Sequence, residues 1–397
     1  MERFDLFRDD RQKEYYRRAH IGRLVGRSIP DGLPGPLQAA TNYYSWLFVF
    51  DDAVSDETEN GTPTAAVVTY LTRLARVLTT PGTPMPHDDK LAMSSLDIRS
   101  DLAENGTPAQ TYRWIDQVHD YFTGLSWEAA IRETDRPPSL NDYIMLWQKS
   151  SATESAFAFL EPAHGYLLTA EELHDPRIHA LRDIATALVG WGNDIISYNK
   201  EAFRAARYDF PAVLNLIPVL AAEHRCSMQE AADQAADMHD RTMRRLIELS
   251  FQVRPQVPPH TARFINGLCQ WVRGSLDWHL ASDRYSNPNN PGEHTADNVA
   301  MPAIRSSPAN AINPAPLPIP AVSWWWDVSP FHPATPHGRP RCLAGPTGLG
   351  TSAANAELLI RPTASGRPHL QTADRPWTGT TFPDVGRDRG KNFDTLT

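Results

Sequence analysis

The chain of 397 residues carries 38 basic and 47 acidic side chains, a net charge of −9, and 41% of its residues are hydrophobic. An acidic chain gains nothing from non-specific attraction to phosphate backbones, so nucleic acid is excluded as a general partner. Its cysteines, Cys226, Cys269 and Cys342, form no metal-binding or disulfide pattern, which suits a reducing cytoplasm. Residues 1–10 are charged and lack the apolar core of a signal peptide, and no apolar run reaches the length of a membrane span.

Helical periodicity dominates the chain before residue 287. Apolar residues recur there at intervals of three and four, and loops rich in polar residues, Pro or Gly separate the periodic segments. The predicted helices lie around 11–27, 36–54, 62–79, 108–132, 139–164, 176–205, 227–250 and 258–285. Because no strand–helix alternation occurs, we predict an all-α fold with one large domain over residues 1–286.

The predicted helix 36–54 ends in a cluster of acidic residues. Its apolar stripe runs into Asp51, while Asp52 and Asp56 are four residues apart and share a helical face, with Glu57 directly after them. A solvated helix end tolerates such repelling carboxylates, and this interpretation stays open. The other interpretation is a Mg²⁺ site, because this hard cation prefers oxygen ligands.

A second polar motif lies on the predicted helix 176–205. Asn193, Ser197 and Glu201 follow one another at intervals of four residues, so they line one side of that helix. Their amide, hydroxyl and carboxylate oxygens are hard ligands that together suit one Mg²⁺ ion. Lys200 beside them offers a positive charge for a diphosphate.

This second motif resembles the Asn-Asp-x-x-Ser-x-x-x-Glu triad of bacterial class I terpene synthases, in which an aspartate-rich motif also comes first. Near the end of the helical part stands the pair Arg284-Tyr285, with Trp278 six residues earlier. The pair resembles the Arg-Tyr pair that hydrogen-bonds the diphosphate on the last helix of that family, where a nearby Trp lines the cavity. The resemblance covers roughly residues 12–286.

The resemblance implies an α-helical, barrel-like bundle around one deep apolar cavity, together with three Mg²⁺ ions. In that family pattern Asp51 would bridge two of the ions, and the triad would hold the third. The implied metal ligands are Asp51, Asn193, Ser197 and Glu201, with Asp52, Asp56 or Glu57 as alternate or indirect ligands. The residues implied to bind the diphosphate are Lys200, Arg284 and Tyr285. Aromatic candidates for the cavity wall are Phe48, Trp147, Trp191, Trp271 and Trp278.

Two features depart from the family pattern. The family has an arginine that senses the diphosphate, in a Tyr-Leu-x-x-Arg-Arg-like stretch upstream of the triad. The matching stretch, residues 143–149, has Trp147 and Gln148 at the expected positions. The ammonium of Lys149 follows, but it matches a phosphate less well than a forked guanidinium does. The acidic motif also begins early, at Asp51, so we expect either a shortened N-terminal cap over the active site or a misplaced start codon.

The character of the chain changes at residue 287. Residues 287–397 hold 17 of the 34 prolines, and every second residue from Pro314 to Pro320 is proline. This spacing excludes helix and favours an extended, polyproline-like chain, so we predict a disordered tail over 287–397. The run Trp324–Trp326 leaves two interpretations open. It is incidental apolar content, or it docks on the domain or on a partner.

These observations predict a Mg²⁺-dependent enzyme that ionises a linear isoprenyl diphosphate and cyclises the resulting cation. Farnesyl diphosphate is the favoured substrate, followed by geranylgeranyl and then geranyl diphosphate. The alternative is a weak or inactive homologue that only binds an isoprenoid diphosphate or a partner. The Asn/Ser/Glu motif argues against a chain-elongating prenyl synthase, and the lack of an Asp-x-Asp-Asp sequence argues against a protonation-initiated cyclase. We expect a cytoplasmic monomer or homodimer.

Overall fold

The computed structural model describes residues 2–56, 62–84, 88–134, 136–208, 214–285, 299–300 and 313–331. It gives only the backbone of residues 55, 56, 204 and 206–208. Within these ranges every regular element is helical, which confirms the all-α prediction. None of the helices in these ranges is both long and apolar enough to cross a bilayer.

Fifteen α-helices occur in the described part of the chain. The first eight are α1 (Asp10–Ala19), α2 (Ile21–Ser28), α3 (Pro34–Asp51), α4 (Thr64–Thr79), α5 (Lys90–Asn105), α6 (Pro108–Arg132), α7 (Leu140–Ser150) and α8 (Thr153–Phe157). The others are α9 (Leu160–His164), α10 (Ala170–Leu173), α11 (Pro176–Tyr208), α12 (Leu216–His224), α13 (Met228–Val253), α14 (Pro259–Ala281) and α15 (Pro320–Ser323).

Two of the predicted helices are broken in the structure. The segment 11–27 divides into α1 and α2 at His20, whose φ of 52° is left-handed. The segment 139–164 divides into α7, α8 and α9, with Ala152 in the same conformation at a φ of 54°. A left-handed residue at a helix end is usually glycine or asparagine. These two positions hold histidine and alanine instead, and the apolar periodicity continues through both of them. The sequence therefore gives no sign of either break.

The sequence pattern missed α5 and α12. In α5 the buried positions include Ser94 and Ser95, whose hydroxyls donate to the carbonyls of Lys90 and Ala92 in the same helix. Because each hydroxyl has a hydrogen-bond acceptor within its own helix, these serines are buried although they form no apolar stripe. The helix α12 is short and buries most of its residues, so it has no amphipathic pattern.

The long helices form a closed ring. Around it α3 packs on α2, α2 on α14, α14 on α11, α11 on α7, α7 on α6, α6 on α5, and α5 on α3. Two glycines permit close approach within this ring. A Cβ on Gly124 of α6 would lie 2.5 Å from the backbone of Ser150, and a Cβ on Gly274 of α14 would lie 2.6 Å from the backbone of Arg27. The ring matches the expected barrel-like bundle.

Residues 313–331, here called the C-terminal strap, pack against the outside of this ring. Trp325 is fully buried, and its indole Nε1 donates to Oδ2 of Asp183 on α11 at 2.7 Å. The docking interpretation of Trp324–Trp326 is therefore the correct one, and disorder was the wrong prediction for residues 313–331. The strap and the helices belong to one compact unit. The predicted domain boundary at residue 286 would therefore cut through that unit. The other residues of the predicted tail, apart from 299–300, lie outside the described ranges.

Two arginines on α13 bind the carbonyl groups of the strap. Arg245 donates from Nε to the carbonyl of Trp325 at 2.9 Å and from Nη2 to the carbonyl of Val328 at 2.9 Å. Arg241 donates to the carbonyl of Ala315 at 2.6 Å. Proline has no N–H, so an extended proline-rich chain offers mainly acceptors, and arginine offers only donors.

Candidate active site

The ring of helices encloses a cavity of about 300 Å³. Seven of the ten predicted site residues line it, namely Asp51, Asn193, Lys200, Glu201, Trp278, Arg284 and Tyr285. Four of the five predicted wall aromatics also line it, namely Phe48, Trp147, Trp271 and Trp278. The fifth, Trp191, is buried elsewhere and packs on Trp325 at 6.2 Å between ring centroids, so its predicted place in the wall is wrong.

The acidic motif sits where α3 changes into a single π-type turn, Asp52–Asp56. Such local π turns are frequent at functional sites. Asp51 faces the cavity, and its Oδ1 accepts from the Tyr121 hydroxyl at 2.9 Å. Neither the side chain of Asp56 nor any part of Glu57 lies within the described structure.

Asp52 is buried beside the cavity wall instead of lining it. Its Oδ1 accepts from Nη2 of Arg284 at 3.0 Å, and its Oδ2 accepts from the Tyr16 hydroxyl. Burial alone would raise the pKa of the Asp52 carboxyl, but the Arg284 guanidinium holds that pKa below its usual range. Both oxygens accept hydrogen bonds from protein groups, so Asp52 holds Arg284 in place, and its part in metal binding stays a prediction.

Arg284 and Tyr285 lie on a turn after α14, and not on the last helix itself. The helix ends because Ser282 adopts an extended conformation and donates its hydroxyl to the carbonyl of Ala19. Arg284 is buried, donates to the Tyr15 hydroxyl at 2.9 Å, and places its guanidinium 4.8 Å from the ring centroid of Phe48. The turn thereby delivers a fixed positive charge to the cavity.

The second motif lies within the uninterrupted helix α11. Asn193 and Glu201 line the cavity, and Oε2 of Glu201 accepts from Nδ2 of Asn215 at 3.1 Å. Ser197 is 1% exposed, and its Oγ has no hydrogen-bond partner among the described residues. A buried hydroxyl without a partner is costly, and a metal ion on this face of α11 would satisfy it.

Asp194, inside the same motif, has a structural role. It is buried and accepts from the Tyr143 hydroxyl of α7 at 2.6 Å and from the backbone N–H of Leu216 in α12 at 3.1 Å. Burial raises the pKa of this carboxyl well above its ordinary value. Asp194 therefore links α11 to α7 and α12 by hydrogen bonds.

Asn193 is held by groups on and after α14. Its Nδ2 donates to Nε2 of His279 at 3.0 Å and to the Tyr285 hydroxyl at 2.9 Å. His279 is buried, and burial lowers the pKa of its imidazole to about 3. The Nζ atom of Lys200 lies 5.2 Å from the ring centroid of Tyr285, so both side chains face the same region.

Trp147, which stands where the family has its sensor arginine, has a packing role. The Trp147 indole donates to the Tyr143 hydroxyl, and a Cβ on Gly190 of α11 would lie 3.2 Å from the Trp147 ring. Lys149 forms a largely exposed ion pair with Asp120 at 3.1 Å and does not replace the arginine. The sequence motifs did not indicate Arg132, a cation at the end of α6 that lines the cavity.

Sequence reasoning also missed several polar residues that hold the site together, namely Tyr16, Tyr121, Asn215 and His279. For Asn215 a signal exists. It caps α12 by accepting from the backbone N–H of Ile217, and a helix-capping Asn before an apolar run is a recognisable start. The others act across long sequence separations that no local pattern shows.

The donors present fit Mg²⁺ better than a softer metal. Asp51 on one wall, and Asn193, Ser197 and Glu201 on another, supply only oxygen atoms. Among the described residues no three His, Cys, Asp or Glu side chains cluster as a ready-made metal cage. Mg²⁺ is commonly bound by one or two carboxylates together with substrate phosphates, which agrees with donors spread over two walls.

Comparison with known proteins decides the family. Residues 42–245 match the family model described as "Terpene synthase family 2, C-terminal metal binding". A germacradien-6-ol synthase of Streptomyces pratensis is 32% identical over 328 residues, which cover 83% of this chain and 89% of that protein. The chain belongs to the terpene synthase family. A (+)-T-muurolol synthase of Streptomyces clavuligerus, named as farnesyl diphosphate cyclizing, is 30% identical and covers 92% of this chain and 84% of that protein.

Solved structures share the fold. The SVS_A2 protein from ancestral sequence reconstruction superposes with a TM-score of 0.68 at 26% identity, covering 82% of this chain and 90% of that chain. The 2-methylisoborneol synthase of Streptomyces coelicolor shares the fold with a TM-score of 0.62 at 20% identity, covering 71% and 88% of the two chains. The protein is thus a class I terpene synthase of bacterial type, a lyase that acts on phosphates.

Proposed function

We propose that this terpene synthase uses Mg²⁺ to ionise farnesyl diphosphate and cyclises it to a sesquiterpene. Two relatives that are 30% and 31% identical, from Streptomyces clavuligerus and Streptosporangium roseum, are named as farnesyl diphosphate cyclizing. The cavity of about 300 Å³ is at the lower end of the roughly 300–1,000 Å³ common for ligand pockets. The substrates named for those two relatives favour the fifteen-carbon chain over the twenty-carbon chain of geranylgeranyl diphosphate.

The observation that carries the proposal is that two helices bring oxygen donors to one cavity, with the unpartnered Ser197 hydroxyl buried in the second of them. Asp51 at the end of α3, and Asn193, Ser197 and Glu201 along α11, would hold the metal. When bound, Mg²⁺ stabilises the charge that develops on the diphosphate as the allylic carbon–oxygen bond breaks. The relatives named as farnesyl diphosphate cyclizing argue against a homologue that only binds.

The residues around this metal site would bind the diphosphate and protect the cation. Lys200 and Arg284 supply positive charge, and the Tyr285 hydroxyl supplies a hydrogen-bond donor. Asp52 and Tyr15 hold Arg284 in place before the substrate arrives, which reduces the cost of ordering it. The rings of Phe48, Trp147, Trp271 and Trp278 would exclude water and face the carbocation, because aromatic faces attract cations.

The test is incubation of the full-length protein with farnesyl, geranylgeranyl or geranyl diphosphate, with Mg²⁺ or with chelator. Products are identified by gas chromatography and mass spectrometry, and diphosphate release is measured in parallel. We expect a Mg²⁺-dependent cyclic product and the highest kcat/KM with farnesyl diphosphate. Product formation in chelator would refute metal dependence, and a higher kcat/KM for geranylgeranyl diphosphate would refute the substrate.

Two asparagines of the same helix give a matched pair of variants. Asn193→Ala removes a proposed metal ligand and should lower kcat by about a hundredfold or more. Asn199→Ala removes an amide that instead pairs with the backbone of Val299 outside the cavity, and it should keep turnover within a few-fold of wild type. Equal activity of the two variants would remove Asn193 from the mechanism.

A further inference from the structure

His279 of α14 contacts the metal-binding face of α11 but has no part in the reaction proposed above. Its Nε2 lies 3.0 Å from Nδ2 of Asn193. The same amide nitrogen lies 2.9 Å from the Tyr285 hydroxyl. These two contacts use both hydrogens of the amide, so the amide oxygen is the end that remains for the cavity, which Asn193 lines.

The histidine ring decides which end of the amide faces it. Its other nitrogen, Nδ1, lies 3.4 Å from Oγ of Ser275 one turn earlier. The hydroxyl oxygen of Ser275 can accept from Nδ1, so a ring hydrogen on Nδ1 and a lone pair on Nε2 satisfy both contacts of the ring. A lone pair attracts the N–H of Asn193 and repels its carbonyl oxygen.

We propose that His279 is a positioning residue that locks the Asn193 amide with its oxygen directed to the Mg²⁺ site. An asparagine presents one oxygen and one nitrogen, and rotation of the amide by half a turn would replace the metal-binding oxygen with an N–H group. His279 makes that rotated state unfavourable. The inference rests on the proposed function, because it requires Asn193 to be a metal ligand.

The same contact also prepares Tyr285. Because its oxygen accepts from Asn193, its own O–H hydrogen is available to a diphosphate oxygen. Groups that orient a metal ligand commonly contribute about 10–100-fold to metal affinity. We therefore expect the effect of His279 to appear in metal binding before any turnover takes place.

The experiment measures Mn²⁺ binding to the full-length protein by electron paramagnetic resonance, with inorganic pyrophosphate and no isoprenoid substrate. His279→Leu removes the lone pair at similar size and should raise the half-saturating Mn²⁺ concentration at least about tenfold. His279→Gln keeps an acceptor and should recover most of the affinity. Val272→Ala, a buried residue of the same helix outside the cavity lining, controls for loss of packing and should leave the Mn²⁺ midpoint unchanged.

A double variant gives the sharpest test. Asn193→Asp places oxygen at both ends of the side chain, so it needs no orienting partner, and it should restore Mn²⁺ affinity in the His279→Leu background. Failure of that rescue would show that His279 acts by packing, and the inference would be wrong. If Asn193→Ala abolishes Mn²⁺ binding while His279→Leu leaves it unchanged, the inference fails and the proposed function stands. If wild type shows no pyrophosphate-dependent Mn²⁺ binding, the proposed function itself fails.

Discussion

Replacing Trp325 with alanine should destabilise the whole helical domain, although the residue lies far along the chain from the cavity. The side chain is fully buried, its ring packs on Trp191, and its indole N–H donates to Asp183 at 2.7 Å. Truncation of a buried Trp to Ala costs about 3–5 kcal/mol, because packing is lost and a cavity remains. Domains of this kind unfold with about 5–15 kcal/mol, so the loss is a large fraction of the total.

Matched variants separate the contributions to this loss. Trp325→Phe keeps an aromatic ring but removes the N–H, and loss of one hydrogen bond to a buried carboxylate should cost about 1–3 kcal/mol. Phe331→Ala removes an aromatic residue of the same strap that is 67% exposed, and it should change the free energy of unfolding by less than about 0.5 kcal/mol.

The free energy of unfolding is measured by urea titration with far-ultraviolet circular dichroism and tryptophan fluorescence. A chain ending at residue 331 is compared with one ending at residue 312, which lacks the strap, and we expect the shorter chain to be the less stable. If Trp325→Ala costs no more than Phe331→Ala, the strap is not part of the core and the reasoning is refuted.

Three further variants test the surroundings of the cavity. Burial raises the pKa of Asp183 to about 7, so between pH 5 and 7 the folded chain keeps a proton that the unfolded chain releases. The free energy of unfolding of the wild type, measured in urea, should therefore fall by about 1 kcal/mol per pH unit over this range. Asp183→Asn, which cannot titrate, should lack this fall. Asp52→Asn leaves the buried Arg284 unpaired and should cost about 3 kcal/mol in the same assay; a negligible cost would show that the ion pair does not form in solution. Trp147→Arg removes the donor to Tyr143 and should lower the melting temperature without raising kcat, whereas a gain in kcat would show that the family arginine limits the reaction.

The second motif was predictable because its spacing is a property of one helix. Residues four apart share a face wherever they occur in α11, so Asn193, Ser197 and Glu201 could be placed together from the sequence. The first motif was only partly predictable. Asp51 and Asp52 are adjacent and chemically identical, and the structure separates them by giving Asp52 a partner 232 residues away.

The contacts that hold the site could not be read from local patterns. His279 meets Asn193 across 86 residues, and this pairing depends on how α14 packs on α11. The strap was misjudged for a related reason. Alternating prolines from Pro314 onward correctly indicate an extended chain, but whether an extended chain is docked depends on the arginines and the pocket that receive it.

Because the ribosome makes the chain from its N-terminus, the strap is synthesised after the helices that it covers. Asp183 and Trp325 are separated by 142 residues, and chains grow at about 5–20 residues per second, so the surface of α11 that binds the strap stays uncovered for roughly 7–28 s. During that interval the ring of Trp191 lacks the Trp325 packing that covers it in the finished fold. A nascent chain that stalls just after Tyr285 therefore carries every predicted catalytic side chain on an incomplete core, and exposed apolar surface of this kind promotes aggregation.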